Sequence, residues 1–222
     1  MARPICRTPE TDAGLNSATF FINGKPMNVP VAAAKASLRD KIRTALERIS
    51  PAVRMAESMD LCARLEPQLR SAHTILFFAP LADELDVWPL LEKCLTTRKI
   101  CALPGFGPAT QTYSARRVVH LDTDIVTGKF GVREPLASCP SVPLDRLDLV
   151  LVPGVAFDLT GNRLGRGRGF YDRILAAASG IKCGVAHDLQ VREQIPAEAH
   201  DATVQFVFTP SRCLRIRPSS SK

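Results

Sequence analysis

Between residues 32 and 49 apolar side chains recur at helical spacing (Leu38, Ile42, Ala45, Leu46, Ile49) with charges between them, which predicts an amphipathic helix. Ser50 followed by Pro51 reads as an N-cap with proline at the first helical position. The helix that this opens is expected to stop near Leu65, because Pro67 opposes continuation. Residues 73–79 form a short uninterrupted apolar run, as a strand buried on both faces would. Residues 87–97 read as a helix, and 99–103 and 111–115 as strands. Residues 147–152 are the clearest buried strand of the chain; a glycine-rich loop follows, then a helix over about 169–178. Residues 181–186 and 203–208 close the pattern as strands.

Alternating helices and uninterrupted apolar strands indicate a single α/β domain in three αβα layers: a mainly parallel sheet with helices on both faces. Ligands of such sheets bind beyond the carboxyl ends of the strands, which directs attention to the loop leaving Val152. The domain is expected over 31–211. Residues 1–30 lack a sustained period, despite the patch Phe20-Phe21-Ile22, and read as a flexible extension. Residues 212–222, ending in Ser219-Ser220-Ser221-Lys222, read as a disordered basic tail.

Composition narrows the classes. With 45% hydrophobic and 23% charged residues in 222, a packed core can form and general disorder is excluded. No run reaches the length of a membrane span, and no apolar stretch of signal-peptide type follows Met1. The net charge of +7 suggests a nucleic-acid partner until it is located: Arg212, Arg215, Arg217 and Lys222 carry four of the seven charges. No nucleic-acid partner is therefore expected. Cysteines at 6, 62, 94, 101, 139, 183 and 213 form no C-x-x-C or Cys/His cluster, so free thiols in a reducing cytoplasm fit better than zinc or disulfides. A cytoplasmic monomer is the expected state.

The loop from Val152 to Arg173 carries the chemistry. Gly165, Gly167 and Gly169 allow close backbone approach to a ligand, and Arg163, Arg166 and Arg168 interleave with them. The helix starting near Gly169 offers free N–H groups and its positive dipole end. Together these features describe a polyphosphate cradle with guanidinium forks. Unpaired, the arginines would repel one another, so an anionic ligand is the simpler account. Asp172, one turn into the helix, is placed as Mg²⁺ requires beside bound phosphates. The spacing is neither that of a P-loop nor G-x-G-x-x-G. Asp158 and Asn162 read as turn residues of the loop.

This segment resembles the 5-formyltetrahydrofolate cyclo-ligase (methenyltetrahydrofolate synthetase) family, whose hallmark is similar to (V/M)-P-G-x-x-F-D-x-x-G-x-R-L-G-x-G-x-G-Y-Y-D. Phe170 stands in place of the first tyrosine. Lys35-Ala36-Ser37-Leu38-Arg39, Ala82-Asp83-Glu84-Leu85-Asp86, Phe130-Gly131-Val132-Arg133-Glu134-Pro135 and Asp201 after Ile195-Pro196 resemble further family segments in order, over about 32–209.

The resemblance implies ATP- and Mg²⁺-dependent conversion of 5-formyltetrahydrofolate to 5,10-methenyltetrahydrofolate through a phosphorylated formyl group. It implies ATP binding by Lys35, Arg39, Arg163, Leu164, Gly165, Arg166, Gly167, Arg168, Gly169, Phe170 and Tyr171, with Arg166 and Arg168 acting on the transferring phosphoryl group. It implies Glu84 as hydrogen-bond acceptor for folate N–H groups, Phe130 and Phe170 against the pterin ring with Tyr171 beside them, and Asp172 and Asp201 on Mg²⁺. Phe130 is either part of that surface or a packing anchor. Asp83 and Asp86 read as solvated or capping, His187 as structural or solvent-facing, and Trp88 as core. Gln205 stands where the family often has an acid, which argues against a site role there. Two other readings stay open: a non-catalytic nucleotide- or RNA-binding relative, and another ATP-dependent or sugar-phosphate enzyme on the same fold.

Overall fold

Leu149–Pro153 is the strand on which the molecule is built, with Leu149, Val150, Leu151 and Val152 all buried. The computed structural model describes residues 17–22, 25–107, 112–128, 131–167, 169–198 and 201–216. The central strand lies in an eight-stranded sheet, whose order is Cys213–Arg215, Phe206–Phe208, Ile181–Val185, Leu149–Pro153, Thr74–Leu76, Ile100–Gly107, Thr112–Val118, Ser141–Val142. The run from Phe206–Phe208 to Ile100–Gly107 is parallel and the three outer pairings are antiparallel.

Alternation along the strands divides the core in two. Ile75, Leu149, Leu151, Cys183 and Val185 face Leu61, Leu65 and Leu69 of helix Pro51–Arg70 and Leu90, Leu91 and Cys94 of helix Trp88–Leu95. Leu76, Val150, Val152 and Val207 face Ile174 and Leu175 of helix Phe170–Ala177 on the other side. This is the expected three-layer arrangement. The first helix, Val31–Leu46, packs Ile42 and Leu46 against Ala156, Leu164 and Ile195. It thereby covers the small sheet formed by Ala156–Asp158, Arg163–Leu164 and Val191–Arg192.

Several elements depart from the sequence reading. Ser50 does cap the second helix, its side chain accepting from Val53 N, but that helix runs on to Arg70 with Pro67 inside it. Burial of Leu65 and Leu69 on the core, with Glu66 paired to Arg70 and to Lys93, offsets the missing N–H. Residues 17–30 are not featureless: Ser17–Ile22 and Lys25–Pro30 pair antiparallel and lie against the first helix. Nor is the whole segment 212–222 a loose tail. Cys213–Arg215 pairs with Phe206–Phe208 as the sheet edge, and Ile216 N donates to Gln205 O. The remainder of both ends, 1–16 and 217–222, lies outside the described residues. Among the described residues no helix is long and apolar enough to cross a membrane.

Candidate active site

The loops leaving the carboxyl ends of Thr74–Leu76 and Leu149–Pro153 form one wall of a cavity of about 390 Å³, and the first helix closes another. Lys35, Arg39, Glu84, Arg163, Leu164, Gly165, Arg166, Gly167, Gly169, Phe170, Tyr171, Asp172 and Asp201 all line it. Every described residue assigned from the sequence is thus brought to one place. Phe130 and Arg168 lie outside the described residues.

Asp158 organises the start of the glycine loop. Fully buried, it accepts from Thr160 N and Oγ1, Asn162 N and Nδ2, and Ile195 N. The turn reading of Asp158 and Asn162 therefore holds. Gln190 Nε2 fixes the preceding turn by donating to Gly154 O at 2.9 Å and Val155 O at 3.0 Å. Further along, Arg39 Nε donates to Gly165 O at 2.8 Å. Gly167 (φ 93°) and Gly169 (φ 63°) take left-handed conformations that favour glycine. Gly169 is the N-cap of helix Phe170–Ala177 and supplies no side-chain cap to its first turn.

Arg163 and Arg166, the two described arginines of the loop, are not unpaired. Arg163 is buried, its Nη1 reaching Pro153 O at 3.3 Å and its Nη2 the carboxylate of Asp172. A Cβ on Gly165 would stand 2.9 Å from Arg163 Nη1, so glycine there lets the guanidinium pass. Arg163 is a pillar of the loop rather than a fork at its tip. Arg166 is paired with Asp83 and Glu84 across the cavity. The charges of these two arginines are thus compensated by the protein's own carboxylates, and they do not need an anionic ligand to coexist. Leu164 is likewise mainly a core residue, packed beside Ile42.

Lys35 is buried, with Nζ 2.6 Å from Asp201 Oδ2 and 2.7 Å from Glu198 Oε2. Burial alone would lower its pKa; the bonds to Asp201 and then Glu198 outweigh that and hold it above the ordinary lysine value. Asp201 Oδ2 also accepts from Glu198 N at 2.8 Å, so that oxygen is engaged by protein donors. Asp172 gives only Oδ1 to Arg163. Among the described residues no cluster of three or more His, Cys, Asp or Glu is placed to hold a metal ion, so a cation here would draw most of its ligands from phosphates and water.

Glu84 sits in the turn after the first parallel strand, with Leu81 N donating to its Oε2 at 3.0 Å. Burial pushes its carboxyl above the usual range, opposed by that N–H and by Arg166. Opposite it, Phe170 meets Tyr113 (centroids 4.7 Å apart) and Phe106 (6.4 Å). Tyr171 instead packs into both cores; burial raises its pKa. Among the described residues Phe170 thus has Tyr113 as its aromatic partner in the cavity lining, and Tyr113 is not distinguishable in sequence from any other strand residue.

His187 is buried, with Nδ1 2.6 Å from Glu57 Oε2, and is structural. Asp86 Oδ1 caps helix Trp88–Leu95 by accepting from Trp88 N, whereas Asp83 is an ion-pair partner rather than a solvated acid. Gln205 Oε1 accepts from Lys182 N, far from the cavity lining.

Comparison with known proteins places the chain in a family. Residues 31–210 match the model of the 5-formyltetrahydrofolate cyclo-ligase family. The chain is similar to the 5-formyltetrahydrofolate cyclo-ligase of Escherichia coli, at 37% identity over 66% of this chain and 82% of that protein. It is also similar to that of Mycolicibacterium smegmatis, at 32% identity over 78% and 94%. The solved structure of Aquifex aeolicus 5,10-methenyltetrahydrofolate synthetase superposes with a TM-score of 0.75 at 33% identity, covering 85% of this chain and 95% of that one.

Proposed function

The chain belongs to the 5-formyltetrahydrofolate cyclo-ligase family, and from that premise we propose that it uses ATP and Mg²⁺ to close 5-formyltetrahydrofolate to 5,10-methenyltetrahydrofolate. The observation that carries the reading is that one cavity brings together an uncapped helix N-terminus, Lys35 and a half-buried acceptor, Glu84.

The chemistry is one displacement followed by another. The formyl oxygen takes the terminal phosphoryl group of ATP and ADP departs. N10 of the folate then attacks the activated formyl carbon and gives up its proton to solvent, and phosphate leaves with the former formyl oxygen. An amide oxygen is a poor leaving group and a phosphate is a good one, so the protein's task is positioning and charge neutralisation. The N–H groups opening helix Phe170–Ala177, the glycine-loop backbone, Lys35 and Arg166 would hold the polyphosphate. Arg39 shapes the loop through Gly165 O. Glu84 would accept from pterin N–H groups, with the ring against Phe170 and Tyr113. Asp172, through the oxygen that Arg163 leaves, would contribute to the Mg²⁺ shell, and the metal would neutralise phosphate charge. Asp201 stands behind Lys35 and orients its ammonium. Turnover of 5-formyltetrahydrofolate with MgATP, followed by absorbance of the methenyl product, tests the reading; product formed without ATP, or none with it, overturns it.

A further inference from the structure

Arg166 engages carboxylates along one edge only. Its Nη2 lies 2.7 and 2.9 Å from the two oxygens of Asp83 and 3.1 Å from Glu84 Oε1, which Nε reaches at 3.4 Å. Nη1 has no hydrogen-bond partner among the described residues. The two acids stand on a fixed base. Arg54 Nη1 donates to Ala82 O at 2.7 Å on one side of them, and Asp86 N donates to Ser58 Oγ at 2.9 Å on the other. Leu81 and Glu84 close the turn by exchanging backbone and side-chain bonds. The second helix therefore clamps residues 82–86, and that segment in turn clamps the Arg166 guanidinium.

The geometry points to Asp83 as a positioning residue: it holds Nη2 of Arg166 so that Nη1 is presented to a phosphate oxygen of the nucleotide. This rests on the nucleotide reading given above. An arginine side chain that is 46% exposed would otherwise sample many rotamers, and ordering it at the moment of binding costs affinity. Asp83 is suited to this role because it touches Nη2 and leaves the opposite nitrogen free. A phosphate can then add to the pair without displacing it. Glu84, the other partner, keeps its second oxygen on Leu81 N.

The test is calorimetric binding of a non-hydrolysable ATP analogue with Mg²⁺ to the full chain. Asp83→Asn should weaken binding about five- to tenfold, Asp83→Glu should recover most of that loss, and the KM for the folate should move less than about twofold. In an Arg166→Ala background Asp83→Asn should change nothing further, since its effect passes through the guanidinium. Unchanged or tighter binding by Asp83→Asn would show that Asp83 competes with phosphate or is idle. A loss that persists without Arg166 would make the role merely structural. Either overturns the proposal while leaving the family activity intact, whereas failure of the parent protein to bind the analogue removes the nucleotide reading and Asp83's role with it.

Discussion

Arg39 donates through Nε to the carbonyl oxygen of Gly165, joining the first helix to the glycine loop across 126 positions of sequence. The bond holds the Gly165 carbonyl in place and with it the backbone that follows. Arg39→Lys keeps the charge but cannot reproduce the directed Nε–H bond. It should raise the KM for ATP about tenfold, the loss of one charge-assisted hydrogen bond, while the thermal midpoint moves little. Steady-state kinetics over an ATP titration checks this.

Gly167 has φ 93°, and a Cβ there would meet nothing closer than Arg39 Cζ at 3.7 Å. The cost of Gly167→Ala is therefore conformational rather than steric, about 1–2 kcal/mol. Either the protein loses that much stability in urea unfolding or the loop shifts and ATP affinity falls. A variant unchanged in both would show that the loop does not need this backbone.

Lys35 gives a pH-dependent contribution whose sign follows from its raised pKa. The stabilisation is fully present below the unfolded value of 10.5 and is lost as pH rises through the higher folded value. Lys35→Met leaves Asp201 and Glu198 facing each other without their cation. It should cost about 1–3 kcal/mol at neutral pH, discounted because Glu198 is partly exposed. In alkaline urea titrations the difference from the parent should shrink.

For Glu84 the shift is also upward, but its consequence falls on the acid side. Its folded pKa is raised above 4.5 by burial, so it protonates earlier than an exposed glutamate as pH falls. A carboxylate accepts two N–H bonds better than a carboxylic acid, so kcat/KM for the folate should decline on the acid side through that raised value. Glu84→Gln should be slow at every pH and lack this limb. An identical acid limb in the glutamine variant would assign it to another group.

The chain end separates two truncations. Removing 217–222 leaves the edge strand Cys213–Arg215 and the Ile216 N to Gln205 O bond in place, and should leave the thermal midpoint unchanged. Removing 212–222 strips that strand from Phe206–Phe208 and should lower it by several degrees.

What the sequence made legible was local. The glycines, the start of helix Phe170–Ala177 and the buried strands follow from spacing and punctuation within short windows. The ion pairs were not legible, because their partners are far apart. Lys35 meets acids 163 and 166 positions away, and Arg166 meets acids 82 and 83 positions away. Arg166 looked like surplus charge because its carboxylates, Asp83 and Glu84, belong to another loop, and the Arg163 to Asp172 pair shows only once the loop folds back on the helix it opens. Cys213–Arg215 is three residues long and carries no period, so only its pairing reveals it. Pro67 misled for a related reason: the burial of Leu69 that sustains the helix beyond it is a tertiary effect.

The most direct test follows the formyl oxygen. 5-Formyltetrahydrofolate carrying a heavy-oxygen label in the formyl group is turned over with MgATP, and the released phosphate is analysed by mass. Transfer of the phosphoryl group to that oxygen predicts one labelled phosphate for each methenyl product and each ADP. Phosphate without label, formed alongside methenyl product, would contradict the account, because the oxygen would then have left by a route that ATP does not create.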